Sequence, residues 1–480
     1  MASTSEQGMW RRLLWSWRPE SGREARRAVV RNFLLHWFPT RVARRSLDYG
    51  YSFYLGTISF ALFAILTVTG IVLMCYYVPS VERAYGTMKD IDTVVSFGWF
   101  LRRVHRIAAH MMVVSVLLHM VRVFLTGAYT SSTSSVARRE VNWIAGVALL
   151  VLTLLLSFTG YLLPWDQLAY WATTVGTSIV ASIPLVGPPV RYLLVGGSEI
   201  GQATLLRFYV LHIAALPLVL LGLAVWHVWR VRKDGGLSAT EPALRQAAEA
   251  VAAGRAPAAA LDDDETSLPS SPHLTTRVLI VVVATVAAAS LLALAFPAPL
   301  EMRASPQAPP NPAKAPWYFL GLQELVSYSG FVGGAVIPLA VVLGLALIPL
   351  VDRERRGVGT WLVDGAGRAW AGCGAAYGLV ATCGILALGE LVPMRSLFPG
   401  VESQLFFDVL NPASLLLALF VLLYWDVRAS TGSTRYAALA TFCAFAISFA
   451  LLTYTGTALR GPNWELFWPW QAWPEHPTLF

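Results

Sequence analysis

Four histidines in two apolar segments have a spacing that could hold a metal-containing cofactor. His105 and His119 are 14 residues apart, almost four helical turns, so a helix places them on one face about 21 Å apart. His212 and His227 are 15 residues apart, which is still one broad face of a helix. Two such helices side by side would oppose two pairs of imidazoles. Opposed imidazoles are the axial ligands of a six-coordinate b-type haem, so the spacing predicts two haems.

Glycines repeat the 14-residue spacing in the apolar segments that alternate with the histidine segments. Gly56 and Gly70 lie in the first segment, and Gly146 and Gly160 lie in the third. A flat macrocycle between helices needs neighbours without side chains, so we predict that these glycines face the haem edges. Ordinary helix packing is the alternative for each residue alone, but two matched pairs of each type are hard to obtain by packing. Three nearby cations could bind haem propionates: Arg102, Arg122 and Arg207.

The composition indicates that these segments cross a membrane. Apolar residues make up 56% of the chain and charged residues 13%, against about 25% charged residues in soluble domains. Eight stretches of about 17 residues or more lack charged side chains, and a ninth is interrupted by two arginines. We predict an all-α polytopic membrane protein with an N-terminal four-helix haem-binding bundle and about five further transmembrane helices. The predicted spans are 49–81, 104–125, 141–165, 208–229, 278–300, 325–351, 369–389, 409–425 and 436–459.

The basic residues predict the orientation of the chain. With a cytoplasmic N-terminus, 24 Lys and Arg residues fall on the cytoplasmic side and 11 on the other side, and Arg122 is left out because it lies within a span. The net charge of +8 therefore reflects membrane topology and does not indicate nucleic-acid binding. An odd number of spans places the C-terminal tail outside. The predicted domains are a basic cytoplasmic segment 1–48, a four-helix di-haem domain 49–235, a cytoplasmic linker 236–276, a C-terminal domain 277–351, and additional helices with an external aromatic tail 352–480.

Three motifs around these residues resemble cytochrome b of the Rieske/cytochrome b complexes. They are Arg103-Val104-His105 with His119-Met120-Val121-Arg122 and Leu125-Thr126-Gly127, then Gly160-Tyr161-Leu162-Leu163-Pro164-Trp165-Asp166-Gln167, and finally Ala203 to His212. The 15-residue histidine spacing resembles the chloroplast and cyanobacterial branch. The resemblance is strong over about 40–235, moderate over 272–351 and weak over 352–480. The fused halves and extended tail suggest a bacterial form.

The resemblance implies a subunit of a quinol–cytochrome c-type oxidoreductase that couples electron transfer to proton translocation. Quinol would be oxidised at an outer site carried by 277–351, and quinone reduced at an inner one. Electrons would divide between a Rieske iron–sulfur protein, which passes them to a c-type cytochrome, and two non-covalent b haems. His105 and His212 would ligate the outer, low-potential haem, and His119 and His227 the inner, high-potential haem. A homodimeric complex surrounded by lipid in a bacterial cytoplasmic membrane is the corresponding expectation.

The outer quinol site departs from the family pattern. The family has Pro-Glu-Trp-Tyr, whereas this chain has Ala315-Pro316-Trp317-Tyr318 and so lacks the glutamate usually assigned as the proton acceptor. Tyr318 could still hydrogen-bond the quinol. Glu324 is the nearest carboxylate that could replace the glutamate. Its alternative role is a carboxylate near a helix start, where the helix dipole favours it.

Three further positions bear on cofactors and on the inner site. Tyr54 stands where the chloroplast branch has the cysteine of a covalent haem, and none of the four cysteines lies in a C-x-x-C-H motif, so we predict no covalent haem. Arg232 matches a basic residue that lines the inner quinone site in that branch, or it is a positive-inside anchor. Val278 replaces an aspartate of the mitochondrial branch, which leaves proton delivery to the inner site open.

Two other functions fit part of the sequence. A di-haem membrane anchor of a quinone-linked dehydrogenase would need no Rieske partner. A transporter could use the histidine pairs as a proton relay. The Trp317-Tyr318 and Pro164-Trp165 motifs favour the oxidoreductase, and the visible absorption of b-type haem would separate both redox functions from the transporter.

Overall fold

The computed structural model describes residues 41–130, 139–233 and 267–471, apart from Arg353, Arg355, Pro393 and Pro469. In this part of the chain, nine helices are long and apolar enough to cross a membrane, which confirms the predicted all-α polytopic fold. Helices are the expected form because every backbone polar group of a span is paired within the span. Numbered span 1 to span 9, they are Leu55–Met74, Gly98–Leu125, Arg139–Tyr161, Gln202–Arg232, Ser270–Ala295, Val332–Val351, Gly365–Leu391, Pro412–Thr431 and Thr434–Leu459.

Shorter elements connect the spans. Two short helices, Gln167–Ala181 and Gly187–Val195, lie between spans 3 and 4. Two three-residue strands, β1 (Arg41–Ala43) and β2 (Ser267–Pro269), pair antiparallel. The other short helices are Tyr49–Ser52, Ala84–Thr93, Trp317–Tyr328, Met394–Leu397 and Gln404–Leu410.

The predicted sixth span, 325–351, is divided into two helices. The helix Trp317–Tyr328, called the Trp317 helix below, ends where Ser329 adopts an extended backbone. The Ser329 hydroxyl donates to Asp408 Oδ1 at 2.7 Å and accepts from the Val332 amide at 3.1 Å, so it caps the next helix. A charge-free stretch therefore does not mark where one helix ends and another begins.

The predicted span 409–425 forms span 8, and its polar start suits a helix N-terminus. The Asn411 side chain accepts from the Ser414 amide at 3.0 Å, and Pro412 occupies the first turn. Both residues are favourable there, since the first amides of a helix need an acceptor and proline lacks one of those amides.

The first four spans form a bundle in which span 1 packs along span 2 and span 3 along span 4. Span 5 packs against spans 1 and 2, and span 6 against span 3. Spans 7 and 9 approach each other closely through small residues. A methyl group added at Gly374 would lie 2.1 Å from the Ala440 carbonyl oxygen, and one added at Gly378 would lie 2.4 Å from that of Ala444.

A buried polar cluster joins the last spans to the first bundle. Arg435, at the start of span 9, is 1% exposed and lies 3.0 Å from Asp352 Oδ2. Its guanidinium also donates to the Tyr129 hydroxyl and to the Phe124 carbonyl at the end of span 2. Gly127 has a φ of +61°, and a methyl group there would meet Arg435 at 2.7 Å. The turn after span 2 is therefore shaped around this arginine.

Candidate functional site

The structure brings the four histidines of spans 2 and 4 together in two pairs. The ring centroids of His105 and His212 are 6.3 Å apart, with an interplanar angle of 73°. Those of His119 and His227 are 6.5 Å apart, with an angle of 82°. We call these the upper pair and the lower pair.

A π-turn explains how a 15-residue spacing in span 4 matches a 14-residue spacing in span 2. The turn covers Leu211–Ala215 and so contains His212. A π-turn accommodates one extra residue, which leaves His212 and His227 in register with His105 and His119. In an unbroken α-helix, His227 would be rotated by about 60° around the helix axis relative to His212. The extra residue of the π-turn removes this rotation.

Hydrogen bonds set the proton position on both rings of the upper pair. The Thr69 hydroxyl donates to the Ile65 carbonyl at 2.7 Å, so its oxygen accepts from Nδ1 of His105 at 2.8 Å. Nδ1 of His212 donates to the Leu156 carbonyl at 3.1 Å. Both imidazoles therefore carry their proton on Nδ1, which leaves the Nε2 lone pair available to a metal.

Each of the four predicted glycines faces one of the four histidines. A methyl group added at Gly160 would lie 2.5 Å from Cε1 of His212, and one at Gly70 would lie 3.3 Å from Cε1 of His105. The other two glycines, Gly56 and Gly146, would place a methyl group 3.5 Å from Cε1 of His119 and of His227, respectively. The glycines thus leave space beside all four imidazoles.

A cavity of about 1570 Å³ runs from the upper pair to the Trp317 helix. Its wall includes both upper histidines and Tyr318, whereas the lower pair does not line it. Single ligand pockets usually have about 300–1,000 Å³, so this space exceeds what one small ligand needs.

Tyr318 provides a hydrogen-bond donor in this cavity. Burial raises its pKa to about 12, so the hydroxyl keeps its proton at neutral pH. Trp317 donates its indole N–H to Nδ1 of His110 at 3.3 Å, and the His110 ring lies 6.0 Å from that of Tyr318. His110 also lines the cavity. Its place in the cavity wall could not be read from spacing, because its partner is 207 residues away.

Comparison with known proteins identifies a family that matches the first four spans. The family described as Cytochrome b/b6/petB matches residues 42–235. Cytochrome b6 of Tupiella akineta is 44% identical over 181 residues, which cover 38% of this chain and 81% of that protein. Cytochrome b6 of Stigeoclonium helveticum is 43% identical over 181 residues, which again cover 38% of this chain and 81% of that protein. This chain belongs to the cytochrome b family.

A solved structure titled "Hyperthermophilic respiratory Complex III" has a similar fold over most of the chain. The aligned region covers 92% of this chain and 96% of the chain in that structure, with a TM-score of 0.57 and 23% sequence identity. The similarity extends past the last residue of the family match, so the shared fold includes the later spans.

The histidine pairs of this cytochrome b fit b-type haem. A metal–nitrogen bond of about 2 Å on each side of an iron, plus roughly 1 Å from nitrogen to ring centre, separates two axial imidazole centroids by about 6 Å. The observed centroid distances agree with this value. Among the described residues, no group of three or more His, Cys, Asp or Glu side chains could hold a bare metal ion. Pairs of ligands suit a macrocycle that supplies the other four.

The four predicted arginines lie in different environments. Arg122, one turn from His119, has a buried Nη2 without a hydrogen-bond partner, and Arg232 has a buried Nη1 in the same state. Such atoms are suited to an anion, because a buried unpaired cation is costly. Arg102 lines the cavity but is paired with Asp92 at 2.5 Å. Arg207 donates to the Leu193 carbonyl.

The structure places Glu324 in a buried ion pair outside the cavity wall. Its carboxylate accepts from Nη2 of Arg460 at 2.5 Å and from Nε of Arg460 at 3.0 Å. It also accepts from the Trp464 indole at 3.0 Å and the Tyr328 hydroxyl at 3.2 Å. Glu324 is 0% exposed, whereas the cavity is lined by other residues of the same helix. This geometry argues against the predicted role of Glu324 as a proton acceptor beside Tyr318 and gives it a structural role.

Arg460 is expected to be essential for the stability of this region. It binds both Glu324 and Glu390, the latter at 2.6 Å. Arg460→Ala would leave the buried carboxylate of Glu324 without its cation, and breaking a buried ion pair in this way costs about 3–5 kcal/mol. We expect a clear fall in the midpoint of thermal unfolding, measured by circular dichroism, whereas Arg83→Ala at an exposed position should leave it unchanged. An unchanged midpoint for Arg460→Ala would contradict the structural role.

Proposed function

We propose that this cytochrome b is the membrane redox subunit of a bc-type complex that oxidises quinol and moves electrons across the membrane through two b haems. The observation that carries the proposal is the single cavity that joins the upper histidine pair to Tyr318. A quinol bound near Tyr318 would lie in the same cavity as its electron acceptor. The second pair, deeper in the bundle, would continue the route.

Each haem would be held by one histidine pair between spans 2 and 4. His105 and His212 would ligate the outer, low-potential haem, and His119 and His227 the inner, high-potential one. The bound haems supply one-electron redox chemistry. The protein would orient the imidazoles through Nδ1 and leave room beside them at the four glycines. The unpaired buried guanidinium atom of Arg122 would bind a propionate of the inner haem.

The quinone sites would lie at the two ends of the bundle. At the outer site, the protonated Tyr318 hydroxyl would donate a hydrogen bond to a quinone oxygen, and the Trp317 helix would form a wall. At the inner site, the buried Nη1 of Arg232 is suited to a quinone oxygen near His227. Arg102 and Arg207 already have hydrogen-bond partners. They would bind a propionate of the outer haem only through guanidinium N–H groups that those partners do not use.

The proposed assembly includes a Rieske iron–sulfur protein and a c-type cytochrome, in a homodimeric complex within a bacterial cytoplasmic membrane. The N-terminus would be cytoplasmic and the tail external. Residues 49–235 would form the di-haem domain, 277–351 the quinol-site domain and 352–480 the additional helices. The proposed N-terminal segment 1–48 and linker 236–276 lie mostly outside the described residues.

The test is the purified complex and one substitution in the cavity. We expect two b haems per chain by haemochrome assay and quinol-dependent reduction of a c-type cytochrome. Tyr318→Phe should lower the rate about tenfold, the effect of losing one hydrogen bond of about 1.4 kcal/mol, with both haems retained. Tyr454→Phe, at an exposed ring, is the matched control.

Two results would contradict the proposal. A protein without b-type absorption would exclude the redox function. Two haems without a Rieske partner or cytochrome reduction would favour a di-haem membrane anchor of a dehydrogenase instead.

A further inference from the structure

Glu301 is a carboxylate of the cavity wall to which neither the sequence motifs nor the proposed haem sites give a role. It follows span 5 and lies in the segment that leads to the Trp317 helix. Tyr161 interacts electrostatically with both Tyr318 and Glu301, so the three side chains belong to one neighbourhood of the cavity.

Hydrogen bonds to the residues that follow span 3 hold the backbone around Glu301 in place. The Glu301 amide donates to Asp166 Oδ2 at 3.1 Å. The Gln167 amide donates to the Met302 carbonyl at 2.9 Å, and the Ala304 amide donates to the Trp165 carbonyl at 3.2 Å. Glu301 is therefore fixed at the wall although it lies in a loop.

Among the described residues, the carboxylates that line the cavity belong to Asp166 and Glu301. Asp166 is committed to structure: it is 7% exposed, and its two oxygens accept from the Ala169 amide at 2.9 Å and the Glu301 amide. The Glu301 carboxylate is partly buried, and no hydrogen bond to it is present in the described part of the chain. It is thus the cavity carboxylate with oxygens free for a ligand.

Charged side chains and external water both lie near Glu301. Arg102 and Arg106 on span 2 reach the same segment by donating to the Pro299 carbonyl at 3.0 and 3.4 Å. Lys314 lines the cavity, while Asp166 is the opposing charge. The next residue, Met302, is 74% exposed, so Glu301 lies between the cavity and water.

We propose that Glu301 is the proton-accepting carboxylate of the quinol cavity, in place of the glutamate that the Ala315-Pro316-Trp317-Tyr318 segment lacks. The assignment rests on the proposed function. Oxidation of one quinol releases two electrons and two protons. The electrons leave to the outer haem and to the one-electron iron–sulfur partner. An O–H bond of the quinol breaks, an O–H bond forms on Glu301, and that proton then passes to external water. The second proton leaves on the side of the iron–sulfur partner.

The experiment compares Glu301→Gln with the unmodified complex. Glutamine keeps the size of the side chain but cannot accept a proton at neutral pH. We expect unchanged haem content and spectra, a fall in quinol oxidation of about 100-fold, and loss of the rise in rate that accompanies ionisation of a carboxylate base. Glu82→Gln, at an exposed position near the same loop, should behave as the unmodified complex.

The outcomes separate this inference from the proposed function. A normal rate and pH profile for Glu301→Gln would overturn the assignment while leaving the function intact. No quinol oxidation by the unmodified complex would overturn the function itself. If Glu301→Gln loses haem, the test is Glu301→Asp, because aspartate retains a carboxylate. A rate of quinol oxidation well above that of the glutamine variant supports the role of Glu301. An equally low rate overturns it.

Discussion

Replacing His212 by alanine is expected to remove one of the two haems and leave the other in place. The upper and lower pairs are separated along the helices by about four turns, so loss of one imidazole deprives only its own site of a ligand. The haemochrome assay should fall from two haems per chain to one. Quinol-dependent cytochrome reduction should fall below detection, because in the proposed function electrons enter through the upper haem.

The complementary substitution is His119→Ala, which should remove the lower haem and keep the upper one. His273→Ala is the matched control, since His273 lies at the start of span 5 and outside both pairs. It should keep both haems. Loss of both haems, or of neither, in the His212 or His119 variant would contradict two independent sites.

The sequence could predict the paired histidines because their geometry depends on helix periodicity alone. The spacing of His105 and His119 places both on one face of a single helix, whatever the rest of the chain does. The same reasoning located the glycines, each of which faces a histidine in the structure. The π-turn at His212 was not predictable, because nothing in the local residues marks the extra residue of that turn.

The roles of the carboxylates could not be predicted because they depend on residues far away in the chain. Glu324 is the carboxylate nearest to Tyr318 along the chain, but its partner Arg460 is 136 residues later and draws it into an ion pair. Glu301 lies in a loop without periodicity, and its position is set by Asp166, 135 residues earlier. Local patterns therefore identify residues held by one helix but not residues placed by tertiary contacts.

The last spans, which the sequence describes only as apolar, form part of the cavity region. Span 9 packs against the Trp317 helix, where a methyl group at Gly321 would lie 3.0 Å from the Thr453 hydroxyl oxygen. Thr457 and Pro462 line the cavity, and Lys314 donates to the Thr457 carbonyl at 2.9 Å. Residues after the family match thus contribute to the wall of the cavity.

Gly160→Ala is expected to have the second large effect, because Gly160 has the least space of the four glycines. The added methyl group would lie 2.5 Å from Cε1 and 3.0 Å from Nε2 of His212, closer than real side chains approach. The ring would have to move, and overpacking of this kind costs about 1–3 kcal/mol. Since about 1.4 kcal/mol corresponds to a tenfold change, we expect affinity for the upper haem to fall roughly 5- to 150-fold.

The measurement is haem occupancy after transfer to an apo-protein acceptor, followed at the absorption of each haem. Gly222→Ala is the control: Gly222 lies in the same span as His212, but a methyl group there would meet nothing within 4 Å. It should leave both haems bound, and Gly70→Ala, with 3.3 Å to Cε1 of His105, should have an intermediate effect at the upper haem. Equal loss from the Gly160 and Gly222 variants would show that helix packing in general, and not space beside the imidazole, controls haem binding.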